Sequence, residues 1–300
     1  MITLGSWLRQ AEARLRRGGR DAPRLSAELL AAHALNVPRT ARFTQDDRTL
    51  APPEHNCLEA ALARRLDGEP LAYILRARAF YGRDFRITPD TLIPRAETEH
   101  LVEAALACPD RPLHFADLGT GSGCIAVTLA AERPLWRGVA VDCSPGALRV
   151  ARTNARAHHV ASRLLLVRAD MCRPLFRPGS LDLVVSNPPY VSLPEYRELA
   201  PEVRREPQEA LTPLTQNPAS PHGLECLEAV IRQAAVALAP GGRICLEHGS
   251  AQARAVSMCF FNNNWSDVRV VQDLAGHDRI TTASRSQNAQ AQPCGGKGTL

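Results

Sequence analysis

The chain has 300 residues, of which 45% are hydrophobic and 22% are charged, and a formal net charge of +5. This is enough apolar material for the core of one large domain or two. No apolar run approaches the length that spans a bilayer, and the arginines are scattered rather than gathered in one block, which argues against a dedicated nucleic-acid surface.

The start, MITLGSWLRQAEARLRRGGR, is basic but lacks the uninterrupted apolar centre of a secretory signal. The chain is therefore expected to be cytoplasmic. Nine cysteines occur without a C-x-x-C pair. Their spacing does not suit a metal site, and they are expected to be reduced, buried thiols.

Residues 1–68 are expected to form a small helical domain. Leu4, Trp7, Leu8, Ala11 and Leu15 recur at helical spacing, as do Leu25, Leu29, Ala32 and Leu35. A third helix passes through 57–63. Residues 69–94, EPLAYILRARAFYGRDFRITPDTLIP, favour strands at Tyr73, Phe80, Tyr81, Phe85 and Ile87. They are read as a β-hairpin linker. Helical periodicity returns over 97–108.

From 113 onward strands and helices alternate. Strands are expected at 113–117, 139–142, 164–167, 181–185, 243–247, 268–274 and 278–282. Helices are expected at 125–132, 147–158, 224–238 and 251–261. The pattern predicts an α/β fold for 95–283, a mainly parallel seven-stranded sheet with helices on both faces. The last two strands are joined by a short turn at Ala275-Gly276, so the final one should be antiparallel. The polar tail 284–300 is expected to be disordered.

Asp117 ends the first of these strands and leads into Leu118-Gly119-Thr120-Gly121-Ser122-Gly123. Glycines between a strand and a helix permit positive φ and close approach of a ligand. Asp142 ends the next strand, where a carboxylate can hold ribose hydroxyls. The glycine spacing is GxGxG rather than GxGxxG, and a carboxylate at 117 would repel a pyrophosphate. It would suit an ammonium group, which points to S-adenosyl-L-methionine as cofactor. The alternative reading of Asp117 is a cap on the turn through side-chain-to-backbone bonds. Asp170 falls at the end of the third strand, as a cofactor residue or a helix N-cap.

The fourth strand ends in Ser186-Asn187-Pro188-Pro189-Tyr190. Two prolines supply no N–H and hold the chain extended, so the strand cannot pair further. The Asn187 side-chain oxygen and the Pro188 carbonyl can accept the two hydrogens of a planar NH₂, and the Tyr190 ring can cover its plane. Such a nitrogen is a weak nucleophile that gains from alignment with a methyl donor and from acceptors as positive charge develops. No general base is visible in the loop.

GEPLAYI, FYG (80–82), LIPRAETE (92–99), DLGTGSGCIA (117–126), VAVDCSPGAL (139–148), SNPPYV (186–191), EVRREPQEAL (202–211) and LEHG (246–249) together resemble the glutamine N5-methyltransferases of peptide chain release factors. The resemblance extends from about residue 4 to residue 283. It implies a class I, Rossmann-like methyltransferase domain and an N-terminal helical domain that helps hold the protein substrate. It also implies methyl transfer from S-adenosylmethionine to the glutamine amide of a GGQ tripeptide in the release factor, by a monomer with no nucleic acid or membrane partner. Carried over, cofactor contacts would be Gly119 to Gly123, Asp142, Met171 and Asn187, and the substrate amide would meet Asn187, Pro188, Pro189 and Tyr190. The chain departs from that family's pattern at Arg76, where glycine is common, at Ala96, at Met171 and in 212–222. The alternatives are a glutamine methyltransferase of a ribosomal protein, an N6-adenine or N4-cytosine methyltransferase of nucleic acid, and a silent cofactor-binding scaffold.

Overall fold

The computed structural model describes residues 1–40, 44–213, 223–261 and 265–287. Its backbone divides into two compact units, one of 1–78, 87–89 and 199–205, the other holding the rest.

The first unit is helical: α1 (Leu4–Arg17), α2 (Pro23–Leu35), α3 (Pro52–Leu66) and the short α4 (Leu71–Leu75). Thr3 starts α1 with a capping box, its hydroxyl accepting from the Ser6 N–H. Trp7, Ala11 and Leu15 of α1 meet Leu30 of α2 and Leu58 and Leu62 of α3 in one core. Pro52 and Pro53 occupy the first turn of α3, where their missing N–H groups cost nothing. Residues 199–205 belong to this unit through two ion pairs, buried Arg65 to Glu202 at 2.7 Å and Arg205 to Asp67 at 2.8 Å.

The linker differs from the expected hairpin in its first part. Tyr73 lies in the helix α4, entered from Pro70, and not in a strand. The hairpin itself is shorter, β1 (Ala77–Phe80) and β2 (Arg83–Arg86), turned at Tyr81-Gly82. Arg76 ends α4 in the left-handed region, with φ of 55°, which is the conformation that glycine takes without strain.

The second unit carries α5 (Thr98–Leu106), β3 (Leu113–Leu118), α6 (Cys124–Glu132), β4 (Trp136–Asp142), α7 (Pro145–Ala157), β5 (Leu164–Arg168) and β6 (Leu181–Ser186). The short helices α8 (Leu193–Glu198) and α9 (Gln208–Leu211) follow, then α10 (Glu225–Ala237), β7 (Leu238–Glu247), α11 (Ala253–Phe261), β8 (Trp265–Gln272) and β9 (Asp278–Arg285). The seven strands β3 to β9 form one sheet in the order β5-β4-β3-β6-β7-β9-β8. Pairing is parallel from β5 to β7, and β9 is antiparallel to both β7 and β8. The expected antiparallel final strand is therefore present, with its turn at Asp273–His277 held by the Gly276 N–H to the Asp273 carbonyl.

β3 and β6 are central and almost wholly buried, which is why they read as continuous apolar runs. Val184, Ile231, Leu246 and Phe260 belong to the cluster that fills the core between sheet and helices. Because the chain winds outward from β3 to β5 and then returns to β6, the strand order reverses between β3 and β6. In sheets of this kind the crevice lies at the carboxyl ends there.

Two expectations need correction. Ser284 and Arg285 belong to β9 and not to the tail; 288–300 lie outside the described residues, as do 214–222 of the segment that departs from the family pattern. Cys57, Cys143 and Cys172 are exposed rather than buried, because they sit on an outward helix face or in turns. His158 packs on Phe85, with ring centroids 4.9 Å apart and planes tilted by 41°, and its Nε2 meets the Asp84 carbonyl at 2.9 Å. Among the described residues no helix is long and apolar enough to cross a membrane.

Candidate active site

Leu118 of β3 lies beside Ser186 of β6, so the glycine turn and the proline loop leave the sheet next to each other. The Ser186 hydroxyl donates to the Leu118 carbonyl at 2.6 Å and joins the two exits.

Gly119 and Thr120 both donate to the Val141 carbonyl at 2.9 Å, which seats the turn on β4. Gly119, Gly121 and Gly123 all have positive φ. A Cβ on Gly119 would lie 2.7 Å from the Met171 methyl, and one on Gly123 would press on Ala151 at 3.1 Å. A Cβ on Gly121 would meet nothing within 4 Å, since that residue borders open space. The buried Asn154 of α7 clamps the turn: its Nδ2 donates to the Ser122 carbonyl at 2.8 Å and to the Arg86 carbonyl at 3.0 Å, and its oxygen accepts the Arg86 N–H.

Asp117 is fully buried. One of its oxygens accepts from the Thr120 hydroxyl at 2.6 Å and from the Ala126 N–H; the other is buried without a partner. Burial pushes its pKa up to about 7, with the nearby Asp142 adding to the rise. Both readings of Asp117 thus have a basis: it caps the turn and still holds an unused oxygen. Asp142 accepts from the Gly121 and Ser144 N–H groups, both at 2.9 Å, and burial raises its pKa as well.

A cleft of about 500 Å³, counted to its open mouth, is lined by Gly119, Gly121, Asp142, Met171, Asn187 and Pro189 among others. Thr120, Ser122 and Asn187 border a smaller adjoining recess. Asp170 lines neither. Its side chain is 56% exposed and accepts from the Cys172 N–H at 2.8 Å, capping a turn rather than a helix. Pro188 is buried beneath the loop. Tyr190 packs against the sheet cluster, and its carbonyl accepts from Gln252 Nε2.

Residues not anticipated also shape the site. Asp90, Thr91 and Leu92, from the segment after the hairpin, line the cleft together with Pro207 and Glu209. Glu206, 4% exposed, ties these stretches together. It accepts the Ile93 N–H at 2.9 Å and pairs with Arg95 at 2.5 Å. Asn187 Nδ2 donates to the Thr98 hydroxyl at 3.2 Å. Glu247, at the end of β7, is buried, and its Oε2 has no hydrogen-bond partner among the described residues; burial pushes its pKa up to about 7. The only sequence signal for Leu92, Thr98, Glu206, Pro207, Glu209 and Glu247 was their place within the family segments; Asp90 and Thr91 lie outside them.

The arrangement offers a cleft with Asp142 on its wall, the buried Asp117 bonded to the glycine turn, and the proline loop beside it. The orphaned Asp117 oxygen and the open face of Gly121 fit a ligand that carries an ammonium group and a ribose.

Residues 6–75 match the family model described as PrmC N-terminal domain, and 98–213 the one described as Methyltransferase small domain. A release factor glutamine methyltransferase of Nitratidesulfovibrio vulgaris is 46% identical over 288 residues, covering 95% of this chain and 96% of that protein. One of Cereibacter sphaeroides is 46% identical over 278 residues, 92% of this chain and 96% of that protein. A methyltransferase structure from Pyrococcus furiosus shares the fold, with a TM-score of 0.50 at 17% identity over 75% of this chain and 98% of that one. With near half its residues shared over nearly its whole length, the chain belongs to the release factor glutamine methyltransferase family.

Proposed function

We propose that the protein methylates the side-chain amide nitrogen of the glutamine in the GGQ motif of a peptide chain release factor, with S-adenosylmethionine as methyl donor. The observation that carries this reading is the placement of the Asn187–Tyr190 loop beside the glycine turn at the ends of β6 and β3, in a chain 46% identical to proteins of that name.

When bound, S-adenosylmethionine supplies an electrophilic methyl group on a sulfonium sulfur. Asp117 and the Gly119–Gly123 turn would hold its amino acid part, Asp142 its ribose, and Met171 would offer adenine a polarizable wall. The chain's own residues do the remaining work. Asn187 Oδ1 and the Pro188 carbonyl accept the two amide hydrogens and fix the nitrogen in line for attack. The same oxygens stabilise the positive charge that grows on nitrogen. The proton leaves after transfer, so no strong base is needed beforehand. The fold of the loop supports this, because two prolines hold the acceptors still. The helical unit, 1–68, positions the release factor, and the enzyme works in the cytoplasm where that partner is found.

The test is to incubate the protein with labelled S-adenosylmethionine and purified release factor, RNA, DNA and ribosomal protein in parallel, and to map the product by mass spectrometry. Label on the GGQ glutamine is expected. Label only in nucleic acid or in a ribosomal protein would overturn the assignment.

A further inference from the structure

Two cysteines outside the glycine turn and the proline loop meet beside the cleft wall. Cys172 follows Met171 in the turn after β5, and Cys226 lies in the first turn of α10, 54 positions along the chain. Their Sγ atoms are 3.7 Å apart. Cys172 is exposed, and Cys226 is only 7% exposed. An accessible thiol with a second thiol close behind it is the arrangement of a reversible oxidation site.

The fold brings the pair together by fastening the turn to α10. The Asp170 carboxylate accepts the Cys172 N–H at 2.8 Å. Gln233 holds the rest: its Nε2 donates to the Met171 carbonyl at 2.8 Å, and its Oε1 accepts the Leu175 N–H at 2.9 Å. Gln233 stands two turns after Cys226 on α10, so residues 171–175 run along one face of that helix. The contact also sorts the two thiols. Cys226 lowers the Cys172 pKa, because a thiol can donate to a neighbouring thiolate, against desolvation and the Asp170 carboxylate. The same contact, with burial, pushes Cys226 up. Cys172 is therefore the sulfur that reacts first, and Cys226 the one that resolves.

We propose that Cys172 and Cys226 are a peroxide-sensitive pair that closes into a disulfide and weakens the hold on S-adenosylmethionine. The Cys172 thiolate attacks one oxygen of hydrogen peroxide; an S–O bond forms, the O–O bond breaks, and the departing hydroxide takes up a proton as water. The Cys226 sulfur then attacks the Cys172 sulfur; the S–S bond forms, the S–O bond breaks, and the second hydroxide leaves with the Cys226 proton. Two thiols and one peroxide become one disulfide and two waters, with two electrons passing from sulfur to oxygen. An added dithiol reverses the step by exchange. A disulfide holds its sulfurs about 2.05 Å apart, so the pair must close by about 1.7 Å. Cys226 is seated in a buried helix face, so the turn does most of the moving and carries Met171 with it. Met171 lines the cleft, its methyl set against Gly119. The effect on the cofactor rests on the function proposed above; the disulfide itself does not.

The experiment treats the reduced full chain with hydrogen peroxide and maps disulfides by mass spectrometry of unreduced digests. Calorimetry then gives S-adenosylmethionine affinity before peroxide, after it, and after added dithiothreitol. Wild type should yield a peptide pair linked through Cys172 and Cys226. Its affinity should fall at least about threefold, since a wall displaced by about 0.5–1 Å forfeits a quarter to a half of its contact, and dithiothreitol should restore it. Cys172→Ser and Cys226→Ala should form no such link and hold their affinity under peroxide to within about 1.5-fold; the exposed Cys172→Ser keeps the test open if the buried Cys226→Ala does not fold. Cys143 is also exposed and lines the cleft, so a loss of affinity that persists in Cys172→Ser would assign the effect to Cys143 and overturn the inference. Absence of the 172–226 link, or a link that leaves affinity unchanged, would overturn it too while leaving the function standing. Reduced wild type that binds no S-adenosylmethionine would overturn the function as well.

Discussion

Asn154 gives the sharpest test of how the cofactor turn is held. It is buried, with 1% exposure, and bonds three backbone groups: the Ser122 carbonyl, the Arg86 carbonyl and the Arg86 N–H. Alanine would strand all three. The Ser122 carbonyl is in a fully buried bond, and losing that partner costs about 1–3 kcal/mol. The Arg86 groups are nearer solvent and cost about 0.5–1 kcal/mol each. The sum is about 3 kcal/mol, and in a domain of this size each kcal/mol lowers Tm by about 2–4 °C. Asn154→Ala should therefore melt roughly 6–12 °C lower, by about the same amount at pH 5 and pH 8. Asn154→Asp differs. One oxygen can still accept from Arg86, but the other faces two carbonyl oxygens and is tolerable only when protonated. Its native pKa is thus raised above the unfolded value, the native state holds more protons, and stability falls as pH rises through that interval. Differential scanning fluorimetry at the two pH values separates the cases. An aspartate variant whose deficit does not grow with pH, or an alanine variant within about 2 °C of wild type, would refute the clamp.

Asn187→Ala should retain cofactor binding by calorimetry yet lose at least roughly tenfold in turnover; near-normal turnover would remove the loop from the chemistry. Burial holds the Asp117 pKa at about 7. An ammonium-bearing ligand favours its ionised form, so binding releases a proton, and S-adenosylmethionine affinity should weaken as pH falls below 7, by at most about tenfold per pH unit. Asp117→Asn should flatten that dependence in titration calorimetry. Arg76→Gly should raise the stability of the helical unit by about 0.5–1 kcal/mol, because the φ of 55° strains any residue with a Cβ; chemical denaturation reads it directly.

The sheet was legible in the sequence because its central strands are buried on both faces and end in residues that cannot continue a strand. Asp117, Asp142 and Asn187 were read from that logic; Asp142 and Asn187 line one cleft, and Asp117 lies buried and bonded to the glycine turn. Strand starts were harder. β4 begins at Trp136 and β7 at Leu238, ahead of the expected starts at 139 and 243. Tyr73 has a strand former's side chain, yet the chain entering from Pro70 coils into a helix and buries it. Asp170 satisfied the strand-end rule, but its own turn claims the carboxylate. The supporting residues were not legible by pattern. Glu206 works on a backbone amide 113 positions away, Asn154 on one 68 away, and Thr98 on a side chain 89 away. Separation of that order is fixed only by the folded topology.

The doubled proline has an outcome for product as well as for substrate. If the Asn187 and Pro188 oxygens accept the amide hydrogens as proposed, the loop would discriminate by counting hydrogens. An unmodified amide has two to give; the singly methylated amide has one, and its new methyl would be thrust against an oxygen left without a donor. On the proposed function, a pocket so built would let go of what it has made, and the reaction would stop after one round.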